Sequence, residues 1–424
     1  MTFAVTLVDA ADAGTVGGKA ASLGELARAG VAVPPGFAVT AGAFTAAMAV
    51  LDPDGALRAG IEALPAGDVA GIARFAPRLR GIIAEAPLPP GVAAAIEEGY
   101  AALGGTPDVA VRSSATVEDS AEASFAGLQD TYLGVSGPAS VLDHVRRCWA
   151  SMYNDESVAY RRRLGLPEAG VAMAVVVQRM VAPRAAGVMF TRSPVTGDRS
   201  VVAIEGTWGL GSALVSGDVT PDAWVISKVT GEITARRVSP KVKIHGYLPN
   251  GGAGGTGGTG VTGGAGVAGG AGVAGGTGVA GGVGGTRVAA EEAGLMGRVT
   301  VRDTPDDLRE APCLTDEEIR ALAAVARRVE AHYGTPQDIE WAVLDAPFTQ
   351  ADADSPGPGS PGPGGSGAGS PGPGGSGAGG SAESRVVLLQ SRPETVWAAR
   401  DPRPAGAPKP RAADHVLSLF GKPL

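Results

Sequence analysis

Several kinds of residue are scarce in this 424-residue chain, and each scarcity excludes a class of protein. The two cysteines, Cys148 and Cys313, stand far apart in unrelated contexts. This arrangement argues against a disulfide framework and against a cysteine-based zinc site. Basic residues number 35 against 43 acidic ones, which gives a net charge of −8. A nucleic acid or an anionic membrane surface is therefore not an expected partner.

Long apolar runs are also absent from the sequence. No run approaches the roughly 20 apolar residues that are needed to cross a bilayer. The first residues carry no basic segment ahead of an apolar one, as a secretory signal would. The sequence therefore predicts a cytoplasmic protein without a membrane partner.

Glycine, by contrast, is abundant, with 67 residues, and it is concentrated in two low-complexity segments. Residues 251–285 contain only Gly, Ala, Val and Thr, and residues 355–381 repeat a Ser-Pro-Gly pattern. Neither segment buries enough apolar surface to offset the entropy of ordering it, so both are predicted to be flexible inserts. Glycine does not recur strictly at every third position, which argues against collagen. A local β-like array in the first insert stays open as an alternative.

The rest of the chain has the pattern of a mixed α and β protein. A helix is predicted at residues 19–29, ended by Gly30, and a second one begins at the capping box of Thr315 and runs to about residue 333. Strands occur in runs and the helices are grouped elsewhere, which is typical of the α+β class. The predicted strands are residues 173–181 and 187–191 as neighbours turned around Pro183, then 201–205, 223–228, 232–238, 339–344 and 386–390.

The most informative segment is residues 109–131, with the sequence VAVRSSATVEDSAEASFAGLQDT. A short apolar strand leads Arg112 into a loop rich in hydroxyls, carboxylates and small residues. The guanidinium offers a planar fork of donors and the hydroxyls add further polar contacts, so the set suits a polyphosphate. The alternative is that Arg112 pairs with Glu118 or Asp119 in a polar turn.

Two further sites carry groups that suit a nucleotide. Lys19 follows two glycines at a helix start, where backbone amides and the helix dipole favour an anion, although the glycine spacing is not that of a Walker A loop. Asp338 and Glu340 alternate along a strand and so point to one face, where carboxylate oxygens suit Mg²⁺. A solvated lysine and the wet face of a sheet are the alternatives.

Five segments, in order along the chain, resemble the ATP-binding domain of phosphoenolpyruvate synthase, pyruvate phosphate dikinase and rifampicin phosphotransferase. They cover nearly all of the chain outside the two inserts and the C-terminal tail. The resemblance implies an ATP-grasp-like, two-lobe fold of the α+β class, with lobes at residues 1–200 and 201–398 and a tail at 399–424. The segments are GGKAASLGEL at 17–26, the arginine segment at 109–131, VVVQRMV at 175–181 with GVMFTRSP at 187–194, IEGTWGLG at 204–211, and DIEW at 338–341 with LLQSRP at 388–393.

The resemblance also implies roles for individual residues. Lys19, Arg112 and Arg192 would act on the phosphates, and Glu340 with Gln390 would hold Mg²⁺. The residues implied to contact ATP are Lys19, Arg112, Gly127 and Thr131 in a small loop over the phosphates, Gln178 at the adenine edge, Glu205, Gln390 and Arg392. Local alternatives remain: a glycine turn at Gly127, a solvated Gln178, and ion pairs of Arg192 and Glu205 with each other or with other partners.

The activity that the resemblance implies is ATP-dependent phosphotransfer of the dikinase type. The multidomain relatives carry a mobile domain with a phosphorylatable histidine in a Gly-Gly-x-x-Ser-His-like context. The four histidines here, His144, His245, His332 and His415, stand in other contexts. The sequence therefore predicts the ATP-binding subunit of a split dikinase, which transfers the terminal phosphates to a histidine on a separate protein.

By the same resemblance, a small acceptor such as pyruvate would be phosphorylated, with AMP and phosphate as products. One departure is Ser212, where many relatives carry a glutamate, and this puts a ligand contact from that position in doubt. A non-catalytic ATP-sensing or regulatory subunit is the alternative function, and a degenerate remnant that binds no nucleotide is a second one.

Overall fold

A computed structural model describes residues 2–115, 119–120, 123–124, 130–247, 287–288, 299–349, 381–395 and 397. Gly127, the first insert, all but the last residue of the second insert and the tail lie outside these ranges. For residues 115, 119–120, 123–124 and 287–288 only the backbone is considered.

The described elements alternate between strands and groups of helices. The strands are β1 (Ala4–Thr6), β2 (Gly36–Val39), β3 (Val109–Ala115), β4 (Asp119–Ser120), β5 (Ala123–Ser124), β6 (Asp130–Val135), β7 (Met173–Arg179), β8 (Ala185–Phe190), β9 (Val201–Trp208), β10 (Asp222–Ser227), β11 (Ile233–Arg237), β12 (Lys243–Tyr247), β13 (Arg287–Val288), β14 (Val299–Asp303), β15 (Gln337–Val343) and β16 (Val386–Pro393). The α-helices are α1 (Ala13–Arg28), α2 (Ala41–Leu51), α3 (Ala56–Glu62), α4 (Val69–Glu85), α5 (Pro90–Ala102), α6 (Pro138–Ser151), α7 (Asp155–Leu164), α8 (Ser212–Val215), α9 (Asp306–Arg309) and α10 (Asp316–Tyr333).

The first sheet has six strands in the order β1-β2-β7-β3-β6-β13. Its strands pair antiparallel except for β13, which runs parallel to β6. Helices α2 to α7 enclose a core on one of its faces, in which Phe44 packs edge-on against Trp149 beside Val111 and Val177. The strongly apolar strand β7 lies in the middle of this sheet, as expected for a strand that is covered on both faces.

The second sheet has six antiparallel strands in the order β11-β10-β9-β8-β15-β16. Along β15, alternate residues point to opposite faces. Ile339 and Trp341 belong to the core that α10 covers, whereas Glu340 points to the other face. Helix α1 contributes Leu23 and Leu26 to this same core, although it also packs on β3 and β7 of the first sheet.

The local predictions of helices and strands are largely confirmed. The capping box at Thr315 is formed with Glu318, and α10 ends at Tyr333. Helix α1 begins earlier than predicted, because the Asp12 side chain caps it and a kink at Gly17 joins an extra turn to the predicted helix. The predicted strands from 201 onward are present, and the α+β class is confirmed.

The predicted pairing of the strands at 173–181 and 187–191 is wrong. Strand β7 lies between β2 and β3 in the first sheet, and β8 lies between β9 and β15 in the second. The turn around Pro183 therefore passes from one sheet to the other. The predicted lobe boundary at residue 200 does not coincide with the division into sheets. Strand β8 comes before residue 200 but belongs to the second sheet, and β13 comes after residue 200 but belongs to the first. Within the described ranges, every helix is too short or too polar to cross a membrane.

Candidate functional site

A pocket lies where the two sheets meet. It is open to solvent, and the space free of atoms in it and in front of its mouth amounts to about 940 Å³. Strands β3, β6 and β7 supply one side, and β8, β15, β16 and the segment 210–215 supply the other. Its polar side chains are Lys19, Arg112, Thr131, Gln178, Arg179, Ser212, Glu340 and Gln390, and its apolar ones include Met180, Val181, Pro183, Val188, Leu210, Leu214 and Val215.

Lys19 is held in this pocket by a close approach of α1 to β3. Gly17 has φ 77°, and a Cβ atom there would lie 2.1 Å from the Ser114 carbonyl oxygen. The Ser114 hydroxyl donates to the Val16 carbonyl at 3.1 Å and accepts from the Ala20 amide at 3.3 Å. The Lys19 ammonium then donates to the Ser113 carbonyl at 3.0 Å. Lys19 is 9% exposed and lines the pocket.

Arg112 connects the two sheets across the pocket. One terminal nitrogen donates to the Leu389 carbonyl at 3.0 Å, and the other lies 3.5 Å from Glu340 Oε2. Its Nε is buried and has no hydrogen-bond partner among the described atoms. The Thr131 hydroxyl, opposite Arg112 in the register of β3 and β6, is likewise buried without such a partner. The alternative partners Glu118 and Asp119 have side chains outside the described part of the chain.

The carboxylate side of the pocket lies along one row of the second sheet. Glu340 is opposite Gln390 on β16 and opposite Val188 on β8, and Val188 is in turn opposite Glu205 on β9. Residues opposite each other in antiparallel strands share a face. Glu340 and Gln390 line the pocket, whereas Glu205 lies on the same face one strand farther away and outside the lining.

Two carboxyl groups near this row have raised pKa values. Burial raises the pKa of Glu205, and Arg237 partly opposes the shift. Burial also raises the pKa of Asp338 to about 6, although Arg392 lies 3.6 Å away and counteracts it. One carboxylate oxygen of Asp338 is buried without a partner among the described atoms. Asp338 is therefore an acid with unused hydrogen-bonding capacity beside the pocket.

Asp338→Asn should change the pH dependence of stability. A carboxyl whose folded pKa is raised stabilises the fold only while it is protonated, and that contribution is lost as pH rises through about 6. Relative to wild type, the variant should therefore gain up to about 3 kcal/mol in unfolding free energy between pH 3 and pH 8. Urea denaturation without Mg²⁺ or nucleotide measures this, and a difference that stays constant with pH would contradict it.

Besides Glu205, two further predicted site residues lie away from the pocket lining. Arg192 donates from Nε to the Gly197 carbonyl at 2.8 Å, lies 3.8 Å from Glu394, and its guanidinium is 5.5 Å from the centre of the Trp397 ring. Arg392 is paired with Asp338. Arg192 follows the end of β8, and Arg392 lies farther along β16 than the lining residues, so their predicted contacts with phosphate stay predictions. Gly127 lies outside the described residues.

Gln178 is at a buried position rather than a solvated one. It is 2% exposed, and its amide donates to the Pro34 carbonyl at 3.1 Å. It lines the pocket beside the apolar group of Met180 and Val181. The apolar wall, with Leu210, Leu214 and Val215, was not predicted, because scattered apolar residues in connecting segments carry no periodic signal.

The protein supplies only part of the ligand set that Mg²⁺ would need in this pocket. Among the described residues, no group of three or more His, Cys, Asp and Glu side chains is placed to hold a metal ion. Mg²⁺ commonly takes one or two carboxylates, with waters and substrate phosphates completing its shell. Glu340, with the Gln390 amide opposite it, fits that incomplete kind of site.

Comparison with known proteins identifies relatives of this chain. Rifampicin phosphotransferase from Streptomyces sp. is 41% identical over 80% of this chain and 34% of its own length. A probable phosphoenolpyruvate synthase from Methanothermobacter thermautotrophicus is 39% identical over 79% of the chain and 42% of its own length. Phosphoenolpyruvate synthase from Aeropyrum pernix is 35% identical over 90% of the chain and 41% of its own length. The chain thus spans well under half the length of these relatives.

A family model describes the AMP/ATP-binding domain of pyruvate phosphate dikinase, and it matches residues 13–255 and 286–412. These two ranges cover most of the chain and include Lys19, Arg112 and Glu340. The resemblance predicted from the five segments is confirmed, and the chain belongs to the family of the pyruvate phosphate dikinase AMP/ATP-binding domain.

Proposed function

We propose that this chain binds ATP with Mg²⁺ in the pocket between the two sheets and passes the terminal phosphates to a histidine on a separate domain or protein. The observation that carries the proposal is the convergence of Lys19, Arg112 and Glu340 in one pocket that also has an extended apolar wall. A nucleotide is likewise divided into a charged part, its phosphates, and a largely apolar part, its base, which match the charged and apolar parts of the pocket.

The roles of the residues follow from the demands of phosphoryl transfer. The protein supplies mainly positioning and charge stabilisation for this reaction. The cations of Lys19 and Arg112 would neutralise phosphate oxygens, and the Thr131 hydroxyl would donate to one of them. Glu340 and Gln390 would hold Mg²⁺, which would supply further charge neutralisation. The apolar wall and Gln178 would take the base.

Two six-stranded sheets with the pocket between them support an ATP-grasp-like arrangement of two lobes. The division at residue 200 stays a prediction, and in this proposal the passage between the lobes is the segment between β7 and β8. Arg112 bridges the two sides through the Leu389 carbonyl and Glu340. Closure of the lobes around a nucleotide would bring the phosphate-binding groups of both sheets onto one ligand.

A separate histidine as acceptor is supported by the position of the described histidines. His144 and His332 lie outside the pocket. His245 is not part of the pocket lining either, but it contacts Ser212, which is. The names of the relatives, phosphoenolpyruvate synthase and rifampicin phosphotransferase, indicate small final acceptors in those proteins. We infer the same for this chain: a small molecule such as pyruvate would be phosphorylated, with AMP and phosphate released.

The binding half of the proposal predicts that Lys19→Ala and Arg112→Ala weaken MgATP binding. A charge-assisted hydrogen bond contributes about 1.5–3 kcal/mol, or roughly ten- to a hundredfold in affinity. Titration calorimetry on wild type and both variants measures the change. Arg78→Ala, at an exposed position of α4, is the control for a general loss of positive charge. Unchanged affinity in both pocket variants would contradict the proposed phosphate site.

A further inference from the structure

The wall of the pocket formed by residues 210–215 carries one polar side chain among those that line it, Ser212. Ser212 begins the short helix α8 directly after the turn at Gly209 and Gly211. It is 8% exposed, so its hydroxyl is largely shielded from solvent and faces a limited set of partners. Whether this hydroxyl can donate a hydrogen bond to a ligand or accept one depends on its hydrogen-bond partner on the side away from the pocket.

That group is His245 on strand β12. Its Nδ1 lies 2.9 Å from the Ser212 hydroxyl oxygen, and its Nε2 lies 3.0 Å from Asp218 Oδ2. Its backbone carbonyl accepts from the Leu210 amide at 2.8 Å. Gly209 has φ 72°, and a Cβ atom there would lie 2.4 Å from the same carbonyl, so β12 and the wall segment are in close contact. His245 thus contacts Leu210 at the start of the segment, the Ser212 hydroxyl within it, and Asp218 just beyond its end.

The order Asp218, His245, Ser212 fixes the positions of the protons. The pKa of Asp218 is lowered, chiefly by the hydrogen bond from the Ser216 hydroxyl, so Asp218 is an anion that can only accept. In the neutral imidazole, Nε2 therefore carries the hydrogen and Nδ1 is an acceptor. The Ser212 hydroxyl must then donate its hydrogen to Nδ1. Towards the pocket it presents only lone pairs.

We propose that His245, in its neutral form, is a positioning residue that fixes the Ser212 hydroxyl as a hydrogen-bond acceptor, so that this wall takes a hydrogen-bond donor of the ligand. The inference rests on the proposed function and deepens it by naming the chemistry of one contact. Hydroxyl and amino groups meet the requirement, whereas phosphate oxygens are acceptors and are disfavoured there. The wall therefore helps to set the direction in which a nucleotide enters, with its phosphates towards Lys19 and Arg112.

The experiment compares four nucleotides by titration calorimetry with Mg²⁺: ATP, 2′-deoxy-ATP, 3′-deoxy-ATP and purine riboside triphosphate, which lacks the amino group. Wild type should bind one of the three analogues about three- to tenfold more weakly than ATP, the effect of one neutral hydrogen bond. Ser212→Ala should weaken ATP binding by the same factor and should no longer distinguish that analogue from ATP.

Two substitutions of the histidine separate its contacts. His245→Asn can keep an acceptor near the Nδ1 position, and we expect it to retain the discrimination. His245→Gln reaches towards Asp218 but leaves Ser212 without its partner, and we expect the discrimination to shrink to less than half. His332→Asn is the matched control, because His332 also contacts a carboxylate, that of Glu25 at 2.9 Å, but lies outside the pocket.

Three results would overturn the inference. Equal discrimination by wild type and Ser212→Ala would show that the hydroxyl contacts no ligand donor. Equal loss in His245→Asn and His245→Gln, together with lowered melting temperatures, would reduce His245 to a structural residue. If wild type bound ATP and one of these two results were obtained, the inference about Ser212 and His245 would fail while the proposed function would still hold. Absence of any ATP binding by wild type would overturn the proposed function and this inference together.

Discussion

Glu340→Gln should lower phosphoryl transfer from ATP by at least about a hundredfold while weakening MgATP binding by less than about tenfold. Glu340 lies 3.5 Å from Arg112 and opposite Gln390. Among the described residues that line the pocket, it is the one with an acidic side chain. Glutamine keeps the size of the side chain but removes its charge. Charge stabilisation is needed most in the transition state, and the rate should therefore suffer more than the affinity.

The measurement uses ATP labelled at the β- or γ-phosphate, the purified chain and the histidine-bearing domain of a multidomain family member. Label that is acid-labile should appear on the added domain with wild type and be lost with Glu340→Gln. Glu330→Gln is the matched control, since Glu330 pairs with Lys228 at a site outside the pocket lining.

Other outcomes of this assay bear on the rival interpretations. Undiminished transfer by Glu340→Gln would exclude the proposed metal ligand. ATP binding by wild type with no transfer to any histidine domain would favour an ATP-sensing subunit. Stoichiometric labelling of this chain alone, at one of its four histidines, would refute a separate acceptor.

Gly17→Ala should destabilise the fold by about 3 kcal/mol or more and should also weaken MgATP binding. The residue has φ 77° and ψ 161°, a conformation that alanine adopts only with strain. Its new methyl group would lie 2.1 Å from the Ser114 carbonyl oxygen and 2.2 Å from the Ser114 hydroxyl. Both atoms are buried, so α1 must move away from β3, and Lys19 would move with it.

Gly81→Ala is the matched control for this substitution. Gly81 lies inside α4 with an ordinary φ, and a Cβ atom there would meet nothing within 4 Å. Alanine is the better helix former, so this variant should gain about 0.5–1 kcal/mol. Urea denaturation should show that the unfolding free energy falls in Gly17→Ala and rises in Gly81→Ala, relative to wild type. Equal stability of Gly17→Ala and wild type would mean that the close approach of α1 to β3 is not required.

Local chemistry explains which parts of this fold could be predicted from the sequence. The start of α10 was predicted because the capping box of Thr315 and Glu318 uses atoms only three residues apart. The end of α1 before Gly30 was predicted for a similar reason, since glycine supplies the φ of 76° at that position. Lys19, Arg112, Glu340 and Gln390 were predicted from motifs, and the structure brings them into one pocket.

Long-range pairing explains what the sequence left open. Strands β7 and β8 are close in sequence but pair with β3 and β15, which lie far away in the chain. The strand pattern alone cannot distinguish a hairpin from a passage between two sheets. Helices α2 to α7 were not predicted. Among them, the alanine-rich α2 and α5 have little polar contrast to indicate a face.

The position of α1 has a consequence for how the protein can be divided. Although α1 stands early in the chain, its Leu23 and Leu26 complete the core beneath β15 and β16. The Ser22 hydroxyl adds a hydrogen bond to the Ser391 carbonyl at 2.8 Å. A fragment that lacked the first 30 residues would therefore expose apolar surface of the second sheet to water. Because α1 packs on both sheets, we expect the two sheets to unfold together in one cooperative transition.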